Sequence, residues 1–175
     1  MLKNTLYTAA LFALLLLFAA CEDDAATGSG EADVKAPAIP TEQAILGTWE
    51  TIEIELDYTS FEARDTTVNE LIREADFARV YGVKPPRTIF TPDGKSRRIH
   101  RMADGSVSNV VHGLWKVHNA DTLLFIEPNK TFYFDYEMTT DRLTLEGMID
   151  SDNDGAIDDH SRTVMRLVAR DTYGG

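Results

Sequence analysis

An antiparallel β-barrel of about eight strands with one inserted helix is the fold this sequence predicts. Three observations predict it: short segments of strict apolar–polar alternation, turn signals spaced between them, and one stretch where the apolar period lengthens from that of a strand to that of a helix. The chain of 175 residues has room for one ordinary domain with a real core.

Ahead of the predicted strands, residues 1–20 read as an export signal: Lys3 in a short leading segment, then an uncharged apolar run over residues 6–20 ending in small residues. A permanent spanning helix needs about 20 apolar residues, so this run is expected to be processed. Cys21, the single cysteine, excludes an intramolecular disulfide and a cysteine-based zinc site. Residues 21–40 hold Glu22, Asp23 and Asp24, then small, polar and proline residues without apolar period, and read as a flexible tether. The folded domain is expected over residues 41–172. Past Cys21 the chain would carry 16 basic against 29 acidic residues, a net charge near −13. Such a field disfavours nucleic acid and suits a soluble, exported domain.

The first strand opens at Gly47-Thr48-Trp49, with Ile52, Ile54, Leu56 and Tyr58 on one face. Alternation puts Trp49 on the opposite face, so a bulge or a terminal crossing is needed to bring it into the core. Thr67-Val68-Asn69-Glu70 reads as a capping box, and Val68, Leu71, Ile72, Ala75 and Ala78 recur at helical spacing until Gly82 and Pro85-Pro86. A helix over residues 66–81 is expected, as a plug at one barrel end or a lid over a ligand mouth. Pro92-Asp93-Gly94, Asp104-Gly105, Asn119-Ala120-Asp121, Pro128-Asn129 and Thr140-Asp141 mark the later turns. Phe132, Phe134, Tyr136 and Met138 alternate with polar residues, as do Leu143 with Leu145 and Met165 with Leu167 and Ala169. Phe132, Phe134, Tyr136 and Trp115 either line a pocket or form the core, with core the preferred reading.

Residues 150–159 carry the sharpest local pattern. Asp150, Asp152 and Asp154 alternate, Gly155 permits a sharp turn, Ala156 offers a carbonyl, and Asp158 and Asp159 follow. Carboxylates so spaced suit a hard cation, and the loop resembles calcium loops of the EF-hand, dockerin and thrombospondin type 3 kinds. Ser161 stands where an EF-hand has its bidentate glutamate, so a weak structural calcium site is expected, against an acidic exposed turn as the plain alternative. Arg97, Arg98 and Arg101 suggest an anion patch or a solvated hairpin, with Arg97 and Arg101 on one strand face and Arg98 and His100 on the other.

Two resemblances add to this reading. Phe18-Ala19-Ala20-Cys21 resembles the lipobox of bacterial lipoproteins, which implies diacylglycerol on Cys21 and an outer-membrane anchor facing the periplasm or the cell surface. Leu46-Gly47-Thr48-Trp49, followed by Phe90-Thr91-Pro92-Asp93-Gly94, by Gly113-Leu114-Trp115 opening a middle strand, and by Asp141-Arg142-Leu143, resembles the lipocalin-like domains of such lipoproteins. That likeness implies barrel closure by Gly47 and Trp49 with Arg166 stacked over the tryptophan. It also implies a container for a small apolar or amphipathic ligand. A calcium-stiffened interaction module with an unidentified protein partner is the second expectation, and an envelope hydrolase the third. No nucleophile elbow, HExxH helix or phosphate loop occurs, so no catalytic residues and no enzyme activity are expected.

Overall fold

The structure, a computed structural model, describes residues 41–59 and 67–170. The expected export signal, Cys21 and the tether lie outside the described residues, as do residues 171 and 172. A short helix α1 (Thr41–Ala44) leads into β1 (Gly47–Tyr58), followed by β2 (Val68–Arg73), helix α2 (Glu74–Arg79), β3 (Val83–Phe90), β4 (Lys95–Met102) and β5 (Val107–Val117). The chain continues through β6 (Thr122–Glu127), β7 (Lys130–Met138), β8 (Arg142–Ile149) and β9 (Asp159–Ala169). Each strand from β3 to β9 pairs antiparallel with the next, and β9 returns to β1. Eight strands therefore close an up-and-down barrel, and closure leaves no long open edge. All five expected turn clusters lie between strands.

Trp49 enters the interior through the bulge that alternation demands. The β1–β9 register slips between Thr51 and Glu53, so Ile52 is the extra residue and the inward set changes from Trp49 and Thr51 to Ile54 and Leu56. Trp49 is fully buried and donates its indole N–H to the Ile45 carbonyl at 2.8 Å. Around it Ile45, Phe90, Trp115, Leu123, Phe125, Leu143, Leu145 and Met165 form one cluster. Trp49, Leu123 and Leu143 sit near the starts of their strands, Phe90, Trp115 and Met165 near the ends of theirs. In an antiparallel meander those positions coincide at one end, which is filled solid.

The segment expected as a helix over residues 66–81 is half strand. Residues 68–73 pair with residues 53–58 of β1, because β3 uses only residues 47–50 of that edge and leaves the remainder free. Val68, Glu70 and Ile72 share the half-buried face of this strand, whereas Val68, Leu71 and Ile72 have the spacing of a helix, and an open ladder decides between the two. In place of the expected capping box, Glu70 accepts hydrogen bonds from the hydroxyls of Tyr58 and Tyr81. The helix that does form is shorter: the Asp76 carboxylate accepts the Arg73 amide at 3.0 Å, Phe77 is buried, and Gly82 turns the chain at φ +65°. The barrel therefore carries a ninth strand outside its closed circuit. Gly113-Leu114-Trp115 lies near the end of β5 rather than opening a strand.

Gly47 is fixed by both conformation and space. Its φ is +128°, and a Cβ there would meet the Ala169 carbonyl oxygen at 2.5 Å. Gly82 has a positive φ but open space around it. Gly47→Ala is therefore expected to destabilise by about 3 kcal/mol or more, against about 1 kcal/mol for Gly82→Ala. Urea denaturation of both variants checks the difference, and equal losses would overturn the packing account of Gly47.

Candidate functional site

Beyond the solid end, the barrel interior is hollow. A cavity of about 230 Å³ lies among residues from every barrel strand. Its apolar wall is Ile54, Phe125, Phe132, Phe134, Leu145 and Met165, and its polar wall is built from the hydroxyls of Thr51, Thr88, Ser96, Ser161 and Thr163 together with Arg98, His100 and Glu127. Thr51, Thr88, Ser96 and Ser161 are themselves buried. Alternation selects this set: Ser96, Arg98 and His100 are the inward face of β4, Phe132 and Phe134 of β7, and Ser161, Thr163 and Met165 of β9.

The aromatic residues serve both ends. Phe90 makes edge contacts with Trp115 and Phe125, Phe125 with Phe134, and Phe134 stacks on Phe132, each pair of ring centroids lying 5.5–5.9 Å apart. This row runs from the packed core to the cavity wall, so both readings of Phe132 and Phe134 apply in part. Tyr136 packs against the core and donates its hydroxyl to the Ala120 carbonyl at 2.8 Å.

Arg98 is the principal charged group inside the barrel. One terminal guanidinium nitrogen donates to Glu127 Oε1 at 2.7 Å, and the side chains are 41% and 17% exposed respectively, so the cavity reaches solvent beside Arg98. The Nε–H of Arg98 is buried without an acceptor among the described residues. Burial and then the neighbouring Arg98 push the His100 imidazole below its usual value, and Glu127 offsets part of that shift. The three expected anion-patch residues do not converge. Arg98 points into the barrel, whereas Arg97 and Arg101 alternate to its outer side, and Arg97 borders an outer groove with His112 and Asp93.

Arg166 does not stack on Trp49. Met165 and Leu167 occupy the inward positions of β9, so Arg166 projects outward and binds Glu50 at 3.1 Å and Glu74 of α2 at 2.9 Å. Arg170, which no local pattern marks, ties the packed end: its guanidinium donates to the Ala44 carbonyl at 2.7 Å and to the Thr140 carbonyl at 3.2 Å.

The acidic loop joins β8 to β9 at the hollow end. Ligand oxygens of Asp150, Asp152 and Asp154 lie within 4.8 Å of one another. Oxygens bound at 2.3–2.6 Å to one calcium ion stand at most about 5 Å apart, so these three fit a hard cation. Asp150 Oδ1 is buried with no hydrogen-bond partner among the described residues, and a bound cation would satisfy it. Asn153 and Gly155 adopt φ +61° and +95°, and the Asp154 and Ala156 amides donate to the carboxylates of Asp152 and Asp154. Asp158 and Asp159 do not join the group. The Asp158 carbonyl accepts the Thr59 hydroxyl at 2.8 Å, and the fully buried Asp159 accepts the Ser151 amide at 2.7 Å, pinning the loop base. Lys130 reaches the loop from β7, with Nζ 3.3 Å from the Asp150 carbonyl and from Asn153 Oδ1.

The lowered pKa of His100 makes a pH prediction. The folded state binds this proton less readily than the unfolded chain, so the stability associated with neutral His100 is fully present above its ordinary value of 6.5 and falls as pH drops below it. Between about pH 6.5 and 5, where histidine titrates, the urea midpoint of His100→Gln is expected to decline less than that of the wild type. Parallel declines would exclude His100 as the source.

Comparison with protein-family models and with curated proteins gives no match.

Proposed function

We propose that the protein is a lipid-anchored, non-catalytic container: a lipocalin-like barrel, tethered to the outer membrane through an acylated Cys21, that binds a small amphipathic molecule. The observation that carries this reading is the cavity, lined by apolar side chains together with hydroxyls and an ion pair. Cavities that serve ligands are mostly apolar with a few placed polar groups, and this one has that composition. At about 230 Å³ it is smaller than the roughly 300–1,000 Å³ of sites for drug-sized molecules, which restricts the ligand to a short one. Mass spectrometry of protein extracted from membranes tests both parts, with an acylated Cys21 and a small molecule released on denaturation as the expected result. A bare Cys21 would remove the anchor, and an empty barrel would remove the container.

Calcium in the loop after β8 would be structural. Asp150, Asp152 and Asp154 would hold it and its charge would relieve their mutual repulsion, a role supported by their spacing and by the buried Asp150 oxygen. An affinity in the 10⁻⁴ to 10⁻³ M range, as in extracellular modules, gives about 1.4–2.7 kcal/mol of stabilisation in 10 mM calcium. A rise of several degrees in melting temperature is expected, absent in the Asp152→Asn/Asp154→Asn double variant. No rise in the wild type would sink the calcium role.

A further inference from the structure

The container reading leaves open which head group the cavity accepts, and Arg98 and Glu127 bear on that choice. Three features of the polar wall act together. Arg98 lines the cavity with its side chain 41% exposed, and Glu127 takes one of the several N–H donors of its guanidinium, so the site offers donors that a ligand oxygen can satisfy. The guanidinium already has its counter-ion, because Glu127 Oε1 lies 2.7 Å from the terminal nitrogen and Glu127 is the more buried partner. His100, the remaining titratable group in the lining, is disfavoured as a cation by burial and by Arg98.

The polar wall is therefore electrically balanced before any ligand enters. A carboxylate placed on Arg98 would bring a second negative charge beside Glu127, and the attraction it gained from the guanidinium would be offset by that repulsion and by its own loss of hydration. A carbonyl or hydroxyl oxygen accepts from the guanidinium with neither penalty. In the same lining, Phe132, Phe134 and Met165 offer an apolar surface for a short chain.

Resting on the container reading above, we propose that the cavity selects short uncharged amphiphiles, with an amide, ester or alcohol oxygen on the Arg98 guanidinium, over carboxylates of the same chain length. The ion pair is thus a selectivity device. Glu127 occupies the charge of Arg98 and leaves only its hydrogen-bonding capacity to the ligand.

Isothermal titration at pH 7.5 of the full chain carrying Cys21→Ser, so that no attached acyl chain competes, tests this with octanamide, octanol and octanoate as probes and an apolar fluorescent dye as reference. Octanamide is expected to bind at least tenfold more tightly than octanoate. Glu127→Gln, which leaves Arg98 without its counter-ion, is expected to raise octanoate affinity at least tenfold while changing octanamide less. Arg98→Lys keeps a cation for Glu127 but lacks the further N–H donors of the guanidinium, and is expected to weaken octanamide at least tenfold with dye binding retained. Circular dichroism checks that both variants fold. Octanoate binding as tightly as octanamide to the wild type overturns the head-group selection while leaving the container intact, as does dye binding without octanamide binding. Failure of the dye and of all three probes overturns the container itself.

Discussion

A single extra residue in β1 sets the interior of this barrel. β1 pairs with β9 along nearly its whole length, yet it must bury Trp49 at one end and Ile54 and Leu56 at the other, and these belong to opposite faces of a regular strand. The bulge at Ile52 reverses the alternation between them, so both halves of the strand face inward. Without it, one half of β1 would present Glu53 and Glu55 to the interior, where unpaired carboxylates are strongly disfavoured. The inward set on β9, Ser161, Thr163, Met165 and Leu167, is opposed correctly only because the same slip occurs in the shared ladder.

The division of β1's other edge follows from the same geometry. β3 takes the first four residues and then diverges, and β2 fills the place it vacates, carrying α2 with it. Outside this junction Glu50 joins Arg87 and Arg166, and Arg166 also joins Glu74. These are partly exposed pairs, each contributing about 1 kcal/mol at most. Attachment of the β2–α2 unit therefore depends chiefly on the ladder itself and on burial of Phe77.

Most of the barrel is legible in the sequence, because period-two alternation and turn residues are local signals that barrel closure does not override. Leu123 with Phe125, Phe132 with Phe134 and Leu143 with Leu145 point inward as their spacing says. Residues 68–73 are different. Val68, Leu71 and Ile72 have helical spacing, whereas the strand that forms puts Val68 and Ile72 on one face and leaves Leu71 exposed on the other, and the deciding influence is a vacancy on the edge of β1, which no local window contains. Arg166 fails as the tryptophan's partner for a reason the sequence does hold, since Met165 and Leu167 flank it and claim the inward face. Arg170 could not be found this way, because its partners are backbone carbonyls of Ala44 and Thr140, far away in the chain. The inward direction of Arg98 and His100 follows from alternation, but Glu127 as their neighbour becomes evident only once β4, β5 and β6 are laid side by side.

The two ends of the barrel are made by the same strands under the same alternation, and they differ in what they enclose. At one end Trp49, Phe90, Leu123 and Leu143 are fully buried and leave no polar group to satisfy beyond the Trp49 indole, which Ile45 accepts. At the other end the inward positions hold serine, threonine, arginine, histidine and glutamate around open space. Stability alone favours the first solution, since apolar side chains filling that volume would bury more surface than a partly solvated ion pair returns. The β6–β7 hairpin shows how the hollow end is organised instead: Glu127 faces Arg98, while Lys130, its ladder partner at the rim, reaches the acidic loop. One short turn thus holds the polar wall of the cavity and the loop at its rim in fixed register. The hollow end is built as positively as the solid one, with charge placement doing there what side-chain volume does at the base.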